Sequence, residues 1–216
     1  MSLSQEYIKP ADTNPISAYA RWKGAKGLWE IYSKDTGQTV LTQKLDFVIL
    51  DQLNSVRGFT RSKGLYSCAE VKDIHAQPMS VYLTENGKST LFKEGLYSEI
   101  KADLKEKGIK FQKVVYAMAN DNHEDSTLNN GIIKLELQGA AMSAWFETGA
   151  WEGHRIEMGE ATHQDGAISY YIPKFIRSKA TDNMLEKAKG KDVALQEYLK
   201  KFRDNKEEES QEEIPF

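Results

Sequence analysis

The sequence predicts a mainly β fold, a barrel or sandwich of short strands with one helix inserted between them. Runs of β-branched and aromatic residues recur at a spacing of roughly eight to twelve residues, and turn signals at 35–37 and 86–87 separate them. Residues 95–107 alone show a clear helical repeat, with apolar residues on one face. A mostly β architecture with one helix between strands accounts for this order of elements.

Length and composition indicate one globular domain and an extra C-terminal segment. The chain has 216 residues, 40% hydrophobic and 10% aromatic, which is ordinary for a soluble fold. No apolar run approaches the roughly 20 residues of a membrane span, and the N-terminus lacks a signal-peptide pattern. Cys68 is the single cysteine, so an intrachain disulfide cannot form. We therefore expect a cytoplasmic protein that does not enter a membrane.

The first half of the chain is predicted as an arm followed by strands. Residues 1–15 are polar, contain two prolines and form the predicted N-terminal arm. Leu28–Ser33 and residues 38–50 are predicted as strands from their β-branched and aromatic content. Residues 51–58 are predicted as a short helix or an irregular link, and a basic loop follows at 57–64.

The second half continues this alternation. The predicted elements are strands at 65–74, 79–83, 109–119 and 131–138, helices at 95–107 and 139–147, and a hairpin of 154–162 with 167–175. One domain thus spans residues 16–180. Residues 181–203 are predicted as a marginal amphipathic helix, interrupted at Gly190, that links the domain to an acidic tail. We favour an OB-type β-barrel, because it supplies a curved sheet face flanked by mobile loops.

Positive charge is concentrated in one part of the chain. The whole chain has a formal net charge of −3, but without residues 204–216 it has 28 basic and 26 acidic residues. Residues 21–66 alone carry eight basic and four acidic residues. A local basic region of this kind is typical of a surface that binds a polyanion.

Aromatic residues are interleaved with these basic ones. Sequence-independent binding of single-stranded nucleic acid needs cations for the phosphates and aromatic rings for the bases, with stacking worth roughly 1–3 kcal/mol per base. The candidate phosphate contacts are Arg21, Lys23, Lys26, Arg57, Arg61 and Lys63, and the candidate stacking platforms are Trp22, Trp29, Tyr32, Phe59 and Tyr66. Trp29 lies in a predicted strand and fits the core equally well. The basic neighbours of Trp22 and Phe59 favour exposure of both rings.

Several stretches resemble phage-type single-stranded-DNA-binding proteins, a divergent OB-fold family. They are, in order, residues 47–59 (FVILDQLNSVRGF), 64–67 (GLYS), 95–101 (GLYSEIK), 110–116 (KFQKVVY), 135–141 (LELQGAA) with 144–145 (AW), and 170–175 (YYIPKF). The resemblance covers about residues 25–176 and implies an OB fold, non-specific binding of single-stranded DNA and a role in replication, recombination or repair in a bacterium or phage-infected cell. Ala69 departs from the family, in which an Asn precedes the Glu-Val pair.

The last thirteen residues differ from the domain in charge and in their ending. Residues 204–216 contain six acidic residues and one lysine, and we expect them to be disordered. They end in Ile214, Pro215 and Phe216, and a terminal ring with a free carboxylate suits a small apolar pocket beside a cation. This ending resembles the tip of bacterial single-stranded-DNA-binding proteins, which implies that it recruits replication and recombination proteins. A solvated tail with an accidental ending is the alternative.

No catalytic constellation is recognisable in the sequence. His123 lies in a polar stretch, residues 120–125, whose composition fits a hairpin tip better than a metal site. Glu152 and His154 share a face of a predicted strand, but no zinc or nuclease spacing accompanies them. We therefore expect no enzymatic activity, no cofactor and no metal.

The sequence thus predicts a single-stranded-DNA-binding protein with a partner-recruiting tail. Its predicted partners are single-stranded DNA and, through the tail, replication or recombination proteins, and a homo-oligomer is compatible with the sequence. A protein-interaction adaptor is the main alternative, and it requires Trp22 and Phe59 to be buried. A metal-dependent nuclease is the third hypothesis, and it requires cleavage that depends on Mg²⁺ or Mn²⁺.

Overall fold

A computed structural model describes residues 14–62, 64–120 and 128–211, with side chains described up to residue 201. The predicted mainly β fold is confirmed. The described strands are β1 (Ile16–Lys23), β2 (Leu28–Ser33), β3 (Thr39–Thr42), β4 (Asp46–Phe59), β5 (Leu65–Cys68), β6 (Met79–Glu85), β7 (Lys88–Gly95), β8 (Lys110–Ala119), β9 (Ile132–Leu137), β10 (His154–Gln164) and β11 (Tyr170–Lys179). The described helices are α1 (Tyr97–Glu106), α2 (Gly139–Thr148) and α3 (Asp182–Gln211).

The strands form one sheet in the order β3-β2-β1-β9-β8-β4-β5-β6-β7, and the hairpin of β10 and β11 branches from β4. Within the described residues, β1 and β9 pair in parallel and the other pairs are antiparallel. The terminal strands β3 and β7 do not pair with each other in this part of the chain, so the sheet does not close into the predicted barrel.

The β10–β11 hairpin reaches back to the turn between β1 and β2. The Tyr171 amide donates to the Gly24 carbonyl at 2.8 Å, and the Trp22 indole Nε1 donates to the Tyr171 carbonyl at 2.9 Å. The Tyr171 ring lies against Gly27, whose φ is +65° and where a Cβ would lie 2.9 Å from the ring. Only a glycine suits both this backbone conformation and this close approach. Two hydrogen bonds, rather than a strand ladder, therefore attach the hairpin to this turn.

Strand β4 corrects the prediction for residues 51–58. These residues continue a 14-residue strand that pairs with β8 from Phe47 opposite Ala119 to Arg57 opposite Lys110, with an irregularity between Ile49 and Asp51. The side chains of Gln52, Asn54 and Ser55 in this segment donate hydrogen bonds to backbone carbonyls of neighbouring parts of the chain. The predicted strand at 38–50 is divided, because β3 ends at Thr42 and β4 begins at Asp46. The predicted strand at 65–74 ends at Cys68.

Apolar side chains pack on both faces of the sheet. One face carries Trp29 and Phe47 in a cluster that Trp145 of α2 and Phe175 of the β10–β11 hairpin cover. A second cluster lies between β5, β6 and α1. On the opposite face, Leu195 and Leu199 of α3 pack against residues from β1, β4, β8 and β9. We call this opposite side the α3 face.

Helix α3 is longer than the sequence predicted. It runs from Asp182 to Gln211 without interruption at Gly190. The predicted disorder is therefore wrong for residues 204–211, which continue the helix; their Lys and Glu residues are good helix formers. Residues 1–13 and 212–216 lie outside the described part of the chain, and with them most of the predicted arm and the Ile214-Pro215-Phe216 ending. No described helix combines the length and apolar character needed to cross a membrane.

Candidate nucleic-acid interface

The α3 face is divided into a covered half and an uncovered half. Leu53 of β4, Val114 of β8 and Ile132 of β9 pack beneath α3. Further along the same strands the apolar residues give way to charged and polar ones, and α3 no longer covers them. Glu136, which pairs in register with Val114, marks this change on β9.

A groove of about 280 Å³ lies on the uncovered half. It brings together four of the predicted DNA-binding residues, Arg21, Trp22, Arg57 and Phe59, from two segments far apart in the sequence. The other lining residues are Gly58, Gly108, Lys110, Gln112, Glu136 and Gln138. The antiparallel pairing of β4 with β8, and the pairing of β9 with both β1 and β8, create this grouping.

Two arginines share one carboxylate in the groove. Arg21 Nε donates to Glu136 Oε2 at 2.8 Å, and Arg21 Nη2 lies 2.7 Å from the same oxygen. Arg57 Nη1 donates to both Glu136 oxygens, at 3.2 and 3.1 Å. Burial lowers the pKa of Arg57, and the Glu136 charge opposes this shift. The guanidinium stays charged at neutral pH, because arginine does not lose its proton in proteins.

Phe59 is the most exposed aromatic side chain of the groove, at 64% exposure. It ends β4, and the Arg57 guanidinium lies 5.5 Å from its ring centroid, within range of a cation–π contact. Gly58 makes this approach of the chain possible, because a Cβ there would lie 2.9 Å from the Ile109 backbone. A ring with a cation over one face can still stack a base on its other face.

Trp22 lies half-buried at the border of the groove. Its ring contacts Trp29 at a centroid distance of 5.4 Å, and its indole nitrogen is bound to the Tyr171 carbonyl. Because Trp22 pairs in register with Trp29, its side chain lies on the core side of β1, opposite to Arg21, and the residue borders the groove at the strand end. Trp22 therefore combines core packing with a surface position.

Two predicted platforms have no face free for a base in this conformation. Trp29 is 0% exposed and belongs to the cluster under α2. Tyr66 is 8% exposed and packs edge-on against Phe92 at 5.0 Å, in the cluster under α1. Both lie on the side of their strands that faces the core, whereas Arg21 and Arg57 point to the α3 face.

The other predicted residues in the described ranges do not line the groove. Lys23 forms an ion pair with Glu30 at 2.7 Å, and Lys26 is exposed in the β1–β2 turn. Tyr32 is 43% exposed on β2, one strand beyond β1. Arg61 is exposed in the β4–β5 turn, and Lys63 lies outside the described residues.

The β4–β5 turn is held close to the groove by one carboxylate. Glu85 of β6 accepts hydrogen bonds from Thr60 at 3.0 Å and from Ser62 at 2.7 Å. A Cβ at Gly64 would lie 2.3 Å from the Glu85 side chain, so this contact needs a glycine. Arg61 lies between Thr60 and Ser62, the two residues that Glu85 binds.

The sequence did not single out several residues of the groove. Lys110 is exposed opposite Arg57, and among the described residues it forms no ion pair. Gln138 donates to Gln112 at 3.1 Å. Tyr82 is half-buried and faces the same side, since it pairs in register with Ser67, which pairs with Arg57. The sequence shows the polar side of β9 as an alternation of apolar and polar residues. It does not show the strand order that brings this side close to Arg57.

Two other polar clusters stabilise the covered half. Lys72 forms ion pairs with Asp51 and, at 2.7 Å, with Glu152, while Gln196 of α3 donates to Asp51 at 3.1 Å. Burial opposes the ionisation of Asp51, but the hydrogen bonds from Lys72 and Gln196 outweigh it and hold its pKa below the usual range. These side chains are paired with one another and attach α3 to the sheet.

The second polar cluster lies beside Tyr198 and Leu199 of α3. Tyr116 donates to Glu70 at 2.6 Å, and Lys134 lies 2.5 Å from the same carboxylate. Burial raises the pKa of Tyr116, and Glu70 adds to the shift, so the hydroxyl remains a donor. Within the described ranges, no three His, Cys, Asp or Glu side chains are grouped to hold a metal ion.

Comparison of the chain with protein-family models, with curated proteins and with solved structures gave no match in any of the three.

Proposed function

We propose that this protein binds single-stranded DNA without sequence preference, in the groove on the uncovered half of the α3 face. The observation that carries the proposal is the position of Phe59, 64% exposed beside Arg57 in a groove that also holds Arg21 and Lys110. A stacking ring among cations is the combination that single-stranded nucleic acid requires. In this proposal the domain is a divergent, incompletely closed relative of the OB fold, a fold that holds oligonucleotides across its sheet.

The geometry favours this proposal over a protein-interaction adaptor. The adaptor hypothesis requires both Phe59 and Trp22 to be core residues. Trp22 does pack against the core cluster, but Phe59 is 64% exposed. An exposed phenylalanine flanked by two arginines and a lysine is also less suited to an apolar partner than to a polyanion with flat bases. A nuclease has no support from the described residues, because no acidic cluster there could hold its metal.

The bound DNA strand would run across the β-strands of the sheet rather than parallel to them. Arg21 on β1 and Arg57 on β4 are separated by β9 and β8, and neighbouring strands are about 4.8 Å apart. Beyond Arg57 the register continues through Ser67 to Tyr82. A DNA strand on this path would contact Arg21 and Arg57 first, then Phe59, and then Tyr82 as a second aromatic ring.

The test is a titration of fluorescein-labelled oligo(dT) with the full-length protein, followed by anisotropy at 50 and 200 mM salt. We expect binding that weakens with salt, because phosphate contacts release counterions, and similar affinity for a mixed-sequence oligonucleotide. Arg21→Ala should weaken binding, whereas Lys101→Ala, an exposed lysine on α1, should not. Duplex DNA of the same length should bind less tightly.

A chain lacking residues 204–216 distinguishes weak binding caused by competition from the acidic segment from weak binding caused by the absence of a DNA site. The net charge of this segment is −5, so it could compete with DNA for the groove, and its removal should then raise the affinity at low salt. Absence of binding at low salt by both the full-length and the truncated chain would contradict the proposed function and leave the adaptor. The proposed capture of replication or recombination proteins by Phe216 is tested by deleting Ile214, Pro215 and Phe216 alone.

A further inference from the structure

The proposed groove contains a negative charge at its centre. Glu136 is only 10% exposed, and its carboxylate accepts hydrogen bonds from Arg21 and Arg57 together. These two guanidinium groups and the carboxylate have a combined charge of +1 rather than +2. The residue that reduces the positive charge is therefore part of the same contact network as the residues that would hold phosphate.

A carboxylate in this position makes the same kind of contact as a phosphate. Guanidinium groups bind both anions through paired N–H donors, so the two anions compete for the same edges. Glu136 occupies Nε and Nη2 of Arg21 and Nη1 of Arg57. Like charges close together repel each other, so a phosphate entering the groove lies near a carboxylate that disfavours it.

We propose that Glu136 is an internal competitor of the DNA phosphate, which limits the affinity of the groove. This inference depends on the proposed function and adds a regulatory element to the same site. In the free protein Glu136 neutralises one arginine charge. In the complex the arginines turn their donors towards phosphate, and part of their contact with Glu136 is lost. The protein therefore releases DNA more readily than its number of cations would predict.

Glu136→Gln tests this role, because it removes the charge and keeps the size and one acceptor oxygen. We expect it to bind oligo(dT) about fivefold more tightly than the unaltered chain at 50 mM salt. This change corresponds to the free energy of one partly exposed ion pair. The gain should shrink by about 2.6-fold between 50 and 200 mM salt, if one additional phosphate contact adds about 0.7 to the salt slope. A melting curve checks the fold.

Matched variants exclude a general effect of charge. Glu147→Gln removes an exposed carboxylate from α2, outside the groove, and should change the affinity less than twofold. Glu136→Asp keeps the charge and should not reproduce the gain. Glu136→Thr, which suits a strand, removes the charge in a second way and guards against a fold defect specific to glutamine.

A double-mutant cycle gives an independent measurement. If Glu136 competes with phosphate for Arg21, then Arg21→Ala should cost more affinity in the Glu136→Gln background than in the unaltered chain. Equal or weaker binding by both charge-removing variants would overturn the inference and identify Glu136 as a residue that orients the arginines. If Arg21→Ala leaves binding unchanged in both backgrounds, the location of the proposed DNA site is wrong instead.

Discussion

The two halves of the α3 face are built from the same strands but differ in what covers them. In one half, Val48, Leu53 and Val114 lie beneath α3, where Leu195 is 0% exposed. In the other half the side chains of these strands are charged, polar or aromatic, and the described side chains of α3 do not line the groove there. Phe59 belongs to this half.

The difference shows how one strand can serve both the core and a surface. Strand β4 carries Val48 and Leu53 beneath the helix, and it ends in Arg57, Gly58 and Phe59 beyond the helix. The covered half gains stability from burial of apolar surface. The exposed ring of the uncovered half does not contribute in this way, and it is available to the DNA in the proposed function.

The largest expected effect comes from damaging the covered half. Leu195→Ala removes a fully buried side chain between α3 and the sheet, and we expect it to lower the free energy of unfolding by about 2–5 kcal/mol. Urea unfolding at 25 °C measures this loss. Oligo(dT) affinity should stay within about twofold under conditions where the variant is folded. A large loss of affinity without a loss of stability would show that the two halves are not separate.

The second effect concerns the uncovered half alone. Phe59→Ala should weaken oligo(dT) binding by about 1–3 kcal/mol, because it removes one stacking ring, and should leave the melting temperature nearly unchanged. Phe146→Ala is the matched control, since Phe146 on α2 is also exposed, at 55%, but lies outside the groove. Equal oligo(dT) affinity of the two variants would show that Phe59 does not contact the DNA.

The third effect tests the polar attachment of α3. Asp51→Asn should destabilise the fold at pH 7 by about 1–2 kcal/mol, a modest value because its partner Lys72 is 56% exposed. In the folded state the pKa of Asp51 lies below the ordinary aspartate value of 3.8. Its contribution is therefore complete above about pH 3.8 and is lost as the pH falls through the folded pKa. Urea unfolding at pH 7, 5 and 3 should show a difference that persists at pH 5 and shrinks at pH 3.

The smallest effect concerns a residue that the sequence did not suggest. Lys110→Ala should reduce the slope of log affinity against log salt by about 0.7 and weaken binding only a few-fold, as expected for loss of one phosphate contact. Lys105→Ala, on α1, provides the control for a change in net charge. An unchanged salt slope for Lys110→Ala would place the DNA backbone elsewhere.

The sequence predicted the class of fold and several elements well, because these depend on local patterns. The strand at Leu28–Ser33, the helix near residues 95–107 and the terminal hairpin each follow from periodicity or turn residues. The prediction failed at residues 51–58, where the polar residues of a strand buried on both faces resembled a break. It also failed at Gly190, which the packing of Leu195 and Leu199 accommodates within a helix.

The candidate site was predicted only in part, for a different physical reason. Arg21 and Arg57 were identified from local composition, but their shared partner Glu136 lies on a strand that reaches β1 only through a parallel pairing. Sequence spacing carries no signal of that pairing. Likewise, Trp29 and Phe59 are both aromatic residues among cations, and only the direction of each side chain separates a core residue from an exposed one.

The most direct test of the central claim is photocrosslinking of the full-length protein to oligo(dT) that contains 5-iodo-deoxyuridine, followed by mass spectrometry of the linked peptides. The groove predicts crosslinks at Phe59, with Trp22 or Tyr82 as further sites, and their loss in Phe59→Ala or at high salt. Crosslinks confined to Trp151 and Tyr170, which are exposed outside the groove, would contradict the proposed location of the DNA strand.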